Sequence, residues 1–130
     1  MHYKIILPDG KLRGFCVRAS AEYVKRLRRY CHMQIQPQKE FTRRRAPTEK
    51  WIGVARAGRS LSSEQFAEMI QAFAPDRFVS FFIGLKSPAG AWDETLSLTS
   101  AELSWDLLPV VLLEQIYRAY RIIHHEPYHK

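Results

Sequence analysis

The last residues of the sequence have types and a spacing that could do chemistry. The run 125–129, His-Glu-Pro-Tyr-His, matches the HExxH pattern of zinc peptidases, in which two histidines bind the metal and the glutamate lies beside it. That chemistry requires both histidines on one helical turn. Pro127 lies inside the turn, and its ring disrupts helical hydrogen bonding. We therefore expect no metal site in this segment.

The other chemistry-bearing residues form no recognised catalytic arrangement. Cys31 and His32 are adjacent, so a strand would direct them to opposite faces. His2 and His32 are isolated in the sequence, and we interpret them as surface or strand residues. Asp93 and Glu94 are typical of solvated loop charge. Because no GxGxxG, Walker or GxSxG motif is present, side-chain motifs alone predict only a basic α/β domain that could bind RNA.

Length and composition predict one soluble domain, residues 1–130, with 46% hydrophobic residues. The longest apolar stretch, residues 107–113, is too short to span a membrane, and the N-terminus lacks the apolar region of a secretory signal. Cys16 and Cys31 form no CxxC pattern. Two buried thiols in a reducing cytoplasm are favoured over a disulfide, so we expect a cytoplasmic protein.

The charge balance indicates a polyanionic partner. Twenty Lys and Arg residues against thirteen Asp and Glu residues leave a net charge of +7. Neutralising a phosphate with a cation releases condensed counterions, although a basic surface can also serve solubility alone. Tyr23, Tyr30 and Phe41 lie among the cations and could stack on RNA bases. The predicted RNA-binding residues are Lys25, Arg26, Arg29, Arg43, Arg44 and Arg45.

Periodicity and turn residues predict strands that alternate with helices, which is typical of an α/β domain with a largely parallel sheet flanked by helices. In the first helix the apolar stripe runs from Phe15 to Leu27. Gly58 predicts a turn, and Ser62 with Gln65 predicts a capping box for the second helix. The predicted strands are 4–7, 32–36, 51–55, 77–83 and 96–98, and the predicted helices are 15–30, 63–73 and 107–123, the last with Asp106 as N-cap.

The C-terminal sequence carries a family resemblance. The run 111–122, VLLEQIYRAYRI, followed by 126–130, EPYHK, resembles the LEQLYRA helix and terminal PYH of the RlmH family of SPOUT-class methyltransferases. Four further segments resemble family motifs in the same order along the chain. They are 21–27 (AEYVKRL), 57–64 (AGRSLSSE), 79–84 (VSFFIG) and 96–100 (LSLTS).

The resemblance implies a deep trefoil knot within about residues 78–130 and S-adenosylmethionine bound there, chiefly by loop backbone. It implies a homodimer that methylates N3 of a pseudouridine in helix 69 of the large-subunit (23S) ribosomal RNA. The family pattern assigns the cofactor to Val54, Gly84, Leu98, Thr99, Ser100, Ala101, Glu102 and Leu103.

The resemblance also implies catalytic candidates. A sulfonium methyl group is a strong electrophile, so the protein has mainly to align donor and acceptor and to stabilise the deprotonated N3. Arg118, Tyr128 and His129 match the family positions, with His129 as the hypothetical general base. Without the resemblance, Arg118 would be a helix-surface cation and the other two would be frayed tail residues.

The chain departs from the family pattern at several positions. Leu85 replaces the second glycine of IGG, Trp105 replaces a histidine, and Pro109 replaces an arginine. The segment 37–50 is a basic, proline-containing stretch where the family has an additional helix. An alternative function is therefore a knotted relative that binds ribosomal RNA without methylating it. A third, a basic protein-interaction module, leaves the knot-loop pattern unexplained.

Overall fold

The computed structural model describes residues 1–7, 14–37, 45–84, 92–99, 101, 103–104 and 106–127. Strands and helices alternate along this part of the chain, as the periodicity predicts. The elements are β1 (His2–Leu7), α1 (Gly14–Leu27), β2 (His32–Pro37), β3 (Glu49–Ser60), α2 (Ser63–Ala72), a 3-10 turn (Ala74–Asp76), β4 (Phe78–Ile83), β5 (Glu94–Ser97) and α3 (Leu107–Ile123).

The five strands form one sheet in the order β2-β1-β4-β3-β5, and every described pair is parallel. The prediction of an α/β domain with a parallel sheet is confirmed. Because all strands run in one direction, the sheet has one edge where strands begin and one where they end. We call these the amino edge and the carboxyl edge.

The main core lies between one face of the sheet and the three helices. Alternate strand residues such as Ile5 and Phe81 point to this face and are completely buried with Leu112 and Ile116 of α3. Each such side chain contributes about 1.5–3 kcal/mol of hydrophobic stabilisation. The opposite face carries a smaller cluster of Ile6, Trp51 and Phe82, covered by Trp92.

The apolar stripe predicted for α1 is wrong at its start. Phe15 is 71% exposed, and the buried positions are Cys16, Ser20 and Leu27. These residues also have helical spacing, but Cys and Ser are small, so a count of large apolar residues misses them. Both cysteines are free and buried, in line with the preferred interpretation of their spacing.

The turn predicted at Gly58 is also wrong, because β3 continues to Ser60. The register to β5 shifts between Val54 and Arg59, so a bulge lies between two paired stretches. A Cβ on Gly58 would come within 2.7–2.9 Å of the backbone of Thr95 and Leu96. Glycine is required here by close approach of strands rather than by a turn.

The capping box of α2 is confirmed. The backbone N–H of Gln65 donates to Ser62 Oγ at 3.1 Å, and the backbone N–H of Ser62 donates to Gln65 Oε1 at 2.9 Å. Asp106 occupies the N-cap position of α3, but its side chain makes no capping bond. Hydrogen bonds from Ser104 and Cys16 to this carboxylate instead lower the pKa of Asp106. The start of α3 is thereby joined to α1.

A buried hydrogen bond joins α3 to the sheet. The hydroxyls of Tyr3 and Tyr120 lie 2.7 Å apart, and the two residues are 1% and 9% exposed. Burial raises the pKa of both phenols, that of Tyr120 to about 12, so both keep their protons at neutral pH. One hydroxyl donates and the other accepts.

We expect Tyr3→Phe to lower the free energy of unfolding by about 1–3 kcal/mol, because the Tyr120 hydroxyl loses its buried partner. The double variant Tyr3→Phe/Tyr120→Phe should lose less free energy of unfolding than the sum of the losses in the two single variants, because no buried hydroxyl without a partner remains. Urea unfolding of the four proteins measures this coupling. Additive losses would contradict the proposed bond.

Candidate functional site

The carboxyl edge brings together the described residues of the predicted cofactor site. Val54 is the last residue of β3 that pairs with β4, Gly84 follows β4, and Leu98 and Thr99 follow β5. These strands are neighbours in the sheet, with Val54 in register with Ile83 on one side and Leu96 on the other. In open parallel sheets, ligands bind at this edge. Gly84 has φ 70°, a left-handed conformation that favours glycine, and a residue without Cβ allows a ligand to approach its backbone closely.

The loop after β5 is held by its own hydrogen bonds. Ser97 Oγ donates to the Thr99 carbonyl at 3.2 Å, and the Ala101 amide donates to Thr99 Oγ1 at 3.1 Å. Ala101 is exposed and Leu103 is half-buried. The remaining predicted cofactor residues, Ser100 and Glu102, lie outside the described residues, as do the family departures Leu85 and Trp105.

A cleft of about 220 Å³ opens beside this loop. Its wall combines apolar side chains with serine hydroxyls and an amide, a surface that suits an uncharged part of a cofactor. Ligand sites typically measure ~300–1,000 Å³, so the cleft accommodates one portion of a nucleoside cofactor, and loop backbone has to hold the rest. The lining residues are Leu61, Ser62, Ser63, Phe66, Leu96, Ser97, Leu98 and Gln115.

Arg118 lies on α3 next to this cleft. Its Nη2 contacts Glu114 Oε1 at 2.7 Å, and its Nη1 donates to Ser63 Oγ at 3.4 Å. Its side chain is 22% exposed. Ser63 also contacts Gln115 at 3.5 Å, so Arg118 is joined to the cleft wall. The guanidinium is thus held by an acidic partner one helical turn away rather than directed freely at a substrate.

The tail after α3 leaves the helix before the HExxH run. The Glu126 amide donates to the Arg121 carbonyl at 2.8 Å and the His125 amide to the Ile122 carbonyl at 3.0 Å, with His125 at φ 53°. These two bonds with a left-handed residue form a Schellman motif, which ends a helix. The helical geometry that HExxH needs is therefore absent at His125 and Glu126. The described residues contain no cluster of three His, Cys, Asp or Glu side chains suited to a metal.

Glu126 instead anchors the tail. Its carboxylate accepts from the Tyr30 hydroxyl at 2.7 Å and from Arg121 at 2.8 Å, and Arg29 lies 3.4 Å away. Arg121 Nε also donates to the Pro127 carbonyl at 3.0 Å. The catalytic candidates Tyr128 and His129 come directly after this anchor and lie outside the described residues.

The predicted RNA-binding cations occupy different environments. Lys25, Arg26 and Arg29 are exposed at the end of α1, as the amphipathic pattern indicates. Arg45 makes two bonds to Asp93 at 2.9 and 3.0 Å and lies 4.7 Å from the Trp51 ring, so it closes the second face of the sheet. Arg43 and Arg44, and the aromatic Phe41, lie outside the described residues.

Two aromatic residues expected to stack on RNA pack internally instead. Tyr30 stacks on Tyr120 at 5.2 Å, and Tyr23 contacts the edge of Tyr117 at 6.2 Å. Both join α1 and its following turn to α3. Arg29 covers Tyr30 at 5.0 Å, which leaves little of that ring for a base.

The interpretation of His2 and His32 as surface or strand residues is confirmed, but the two histidines, which are isolated in the sequence, are neighbours in space. The two rings stack at 4.7 Å, and His2 also stacks on Phe78 at 5.1 Å. His32, His2 and Phe78 are the first residues of the neighbouring strands β2, β1 and β4, and they lie in the same register. A sequence search for local spacing cannot find them, because only the pairing of strands brings these positions together.

The comparisons with known proteins agree with this architecture. Residues 1–129 match the family described as "Predicted SPOUT methyltransferase". The chain therefore belongs to the SPOUT methyltransferases, as the C-terminal and knot-loop motifs indicated. No helix among the described residues is long and apolar enough to cross a membrane.

The chain is also similar to curated proteins that are named ribosomal RNA large subunit methyltransferase H. The chain is 33% identical over 133 residues to ribosomal RNA large subunit methyltransferase H 1 of Thermoanaerobacter sp. (strain X514), with all of both chains covered. It is 31% identical over 160 residues to ribosomal RNA large subunit methyltransferase H of Clostridium botulinum (strain Loch Maree / Type A3), covering 96% of this chain and 98% of the relative. The Thermoanaerobacter relative thus shares the short form of the chain, whereas the Clostridium relative has additional residues.

The Glu126 anchor generates a prediction about pH. The Tyr30 hydroxyl first, and then Arg29 and Arg121, hold the pKa of Glu126 below its ordinary value of 4.5. The ionised Glu126 carboxylate therefore stabilises the folded state fully above pH 4.5. This stabilisation is lost as the pH falls through the lowered pKa of the folded state. We expect Glu126→Gln to be less stable than the wild type at pH 7, with the difference shrinking below pH 4.5.

Urea unfolding of both proteins between pH 7 and pH 3 measures this difference. Glu68→Gln is the matched control, because Glu68 is an exposed carboxylate on α2. A difference that stays constant across the pH range would show that the Glu126 charge does not anchor the tail.

Proposed function

We propose that this protein transfers a methyl group from S-adenosylmethionine to large-subunit ribosomal RNA, at N3 of a pseudouridine in helix 69. The observation that carries the proposal is the full-length match to proteins named ribosomal RNA large subunit methyltransferase H. The geometry supports it, because Val54, Gly84 and the loop from Leu98 meet at the carboxyl edge, where a cofactor would bind. Ribosome assembly would place the protein in the cytoplasm.

The proposal includes the knotted form of the fold. In the family resemblance, the chain between about residues 78 and 130 threads through itself and forms the cofactor pocket. The support here is that β5, the loop after it and α3 meet at the cleft within this region, through Leu96, Leu98 and Gln115. The other predicted pocket residues, Thr99, Ser100, Ala101, Glu102 and Leu103, would supply backbone groups to the cofactor.

When bound, S-adenosylmethionine supplies an electrophilic methyl group. This chain has to orient the pseudouridine base, exclude water and take up the proton of N3–H. His129 is the proposed base, with Tyr128 beside it. Arg118 would stabilise the N3 anion by turning from Glu114, which lies at the surface of the same helix.

The position of the tail supports a homodimer with shared sites. Glu126 is bonded to Tyr30 and Arg29, just before β2, so the anchor lies at the amino edge. Gly84 lies at the carboxyl edge, six strand residues or about 20 Å beyond Phe78. The chain from Pro127 to His129 can extend by at most about 7 Å, and the His129 side chain adds a few ångströms. This reach is shorter than the distance of about 20 Å between the two edges. His129 would therefore serve the cofactor of a partner subunit rather than its own.

The alternative is a relative that binds ribosomal RNA without methylating it. Leu85, Trp105 and Pro109 favour it, because they replace a family glycine, histidine and arginine. Pro109 is buried in the first turn of α3, where a missing backbone N–H costs little, so this departure leaves the fold intact.

Deletion of the gene tests the main proposal. Mass spectrometry of helix 69 from the deletion strain should show the loss of one methyl group on a pseudouridine, and the plasmid-borne gene should restore it. Calorimetry should show binding of S-adenosylmethionine to the purified protein. An unchanged spectrum together with RNA binding would support the non-methylating alternative instead.

Mixing two inactive variants tests the shared site. Gly84→Val forces a β-branched residue into a left-handed conformation and should abolish cofactor binding. His129→Ala should abolish methyl transfer and keep cofactor binding. After unfolding and refolding together, an equal mixture should recover about a quarter of wild-type activity, because half of the dimers carry one intact site. No recovery would mean that the tail serves its own subunit.

A further inference from the structure

Three aromatic rings form a row along the amino edge of the sheet. His32, His2 and Phe78 begin β2, β1 and β4 in the same register. Their centroids are 4.7 Å apart at an interplanar angle of 10° and 5.1 Å apart at 20°, so the rings stack face to face. Both histidines are exposed, and Phe78 keeps 40% of its surface accessible. We call this row the ring ladder.

The ring ladder lines a groove of about 640 Å³. Lys4 and Arg28 contribute cationic side chains to its wall, and Gln34 contributes an amide. Glu49 also lines the groove, but it is only 5% exposed, and its carboxylate accepts hydrogen bonds from the Ser80 hydroxyl and the Ala46 amide. The charge that the groove presents to solvent is therefore positive.

The basic end of α1 extends this surface. The helix runs against the strand direction, since it follows the end of β1 and leads into the start of β2. Its last turn and the following turn carry Lys25, Arg26, Arg28 and Arg29, all exposed. Of these four, Arg28 lines the groove itself together with Lys4. Cations beside exposed rings are the combination that proteins use for unpaired nucleic acid, with bases stacked on rings and phosphates on Lys and Arg.

We propose that the ring ladder, with Lys4 and Arg28, binds an unpaired segment of the RNA substrate by stacking one of its bases on the ladder. The inference deepens the proposed function and rests on it. The groove lies about 20 Å from the cofactor edge of the same subunit, so it would hold nucleotides other than the one that is methylated. The tail anchor lies at the same edge, so this groove would adjoin the cofactor site that the tail completes in the partner.

The electrostatics of the histidines agree with stacking. Desolvation, followed by the neighbouring His32, lowers the pKa of His2. The lowered pKa favours the neutral form of the His2 ring, the form that stacks on its neighbours without its own positive charge. Arg28 and Lys4 supply the cationic part of the surface.

Ring-removing and ring-retaining variants of the full-length protein separate stacking from other roles. The probe is a helix 69 hairpin with 2-aminopurine at its unpaired positions, whose fluorescence is quenched by stacking. We expect His32→Ala and Phe78→Leu to weaken Kd on the order of tenfold and to lose the quenching. His32→Tyr and Phe78→Tyr should keep both, and Phe15→Leu, which removes an exposed ring outside the groove, should match the wild type.

Arg28→Ala should reduce the slope of log Kd against log salt by about one, and Arg28→Lys should restore it. Unchanged affinity and quenching in His32→Ala and Phe78→Leu would overturn the inference. A change of oligomeric state in Phe78→Leu, measured by light scattering, would identify the ladder as a contact between copies and would also overturn it.

Methyl transfer to the same hairpin separates the two proposals. A wild-type protein that methylates the hairpin, with an RNA affinity independent of the ladder, would overturn only this inference. Ladder-dependent RNA binding without methyl transfer would overturn only the methyltransferase proposal.

Discussion

The arrangement of the molecule depends on the attachment of α3 to the parallel sheet. The helix begins after β5 at the carboxyl edge, and the Tyr3–Tyr120 hydrogen bond places its later turns over the beginning of β1. Leu112, Leu113 and Ile116 are completely buried between these points. Burial of their side chains contributes several kcal/mol, and the hydroxyl pair fixes the rotation of the helix on the sheet. One helix thereby connects the carboxyl edge to the amino edge.

This constraint separates the two halves of the proposed chemistry. The proposed cofactor residues lie at the carboxyl edge, whereas the tail anchor and the basic end of α1 lie at the amino edge. A Schellman motif and the bonds of Glu126 to Tyr30 and Arg121 keep the tail at that edge. In a single copy, the proposed cofactor site and the anchor of the proposed catalytic tail are then about 20 Å apart. In the proposed homodimer, two copies in opposite orientation would bring the tail of one to the cofactor site of the other.

The uneven covering of the sheet accounts for the ring ladder. All described helices lie on one face, and the other face is closed by Trp51, Trp92 and the Arg45–Asp93 pair around Ile6 and Phe82. That cover ends before the first residues of the strands. His2, His32 and Phe78 therefore stay exposed, in the same groove as Lys4 and Arg28.

Local sequence determined much of this protein. The capping box at Ser62 and the alternation of strands and helices depend on neighbours a few residues away, and they are confirmed. The family motifs are also local strings, so the class of enzyme follows from the sequence. The inward face of α1, the continuation of β3 through Gly58 and the stacking of His2 on His32 were decided only by the tertiary structure. These three features depend on which distant segment of the chain packs against each residue. Small residues such as Cys16 and Ser20 are buried because another element covers them, and the periodicity of the sequence does not show which element that is.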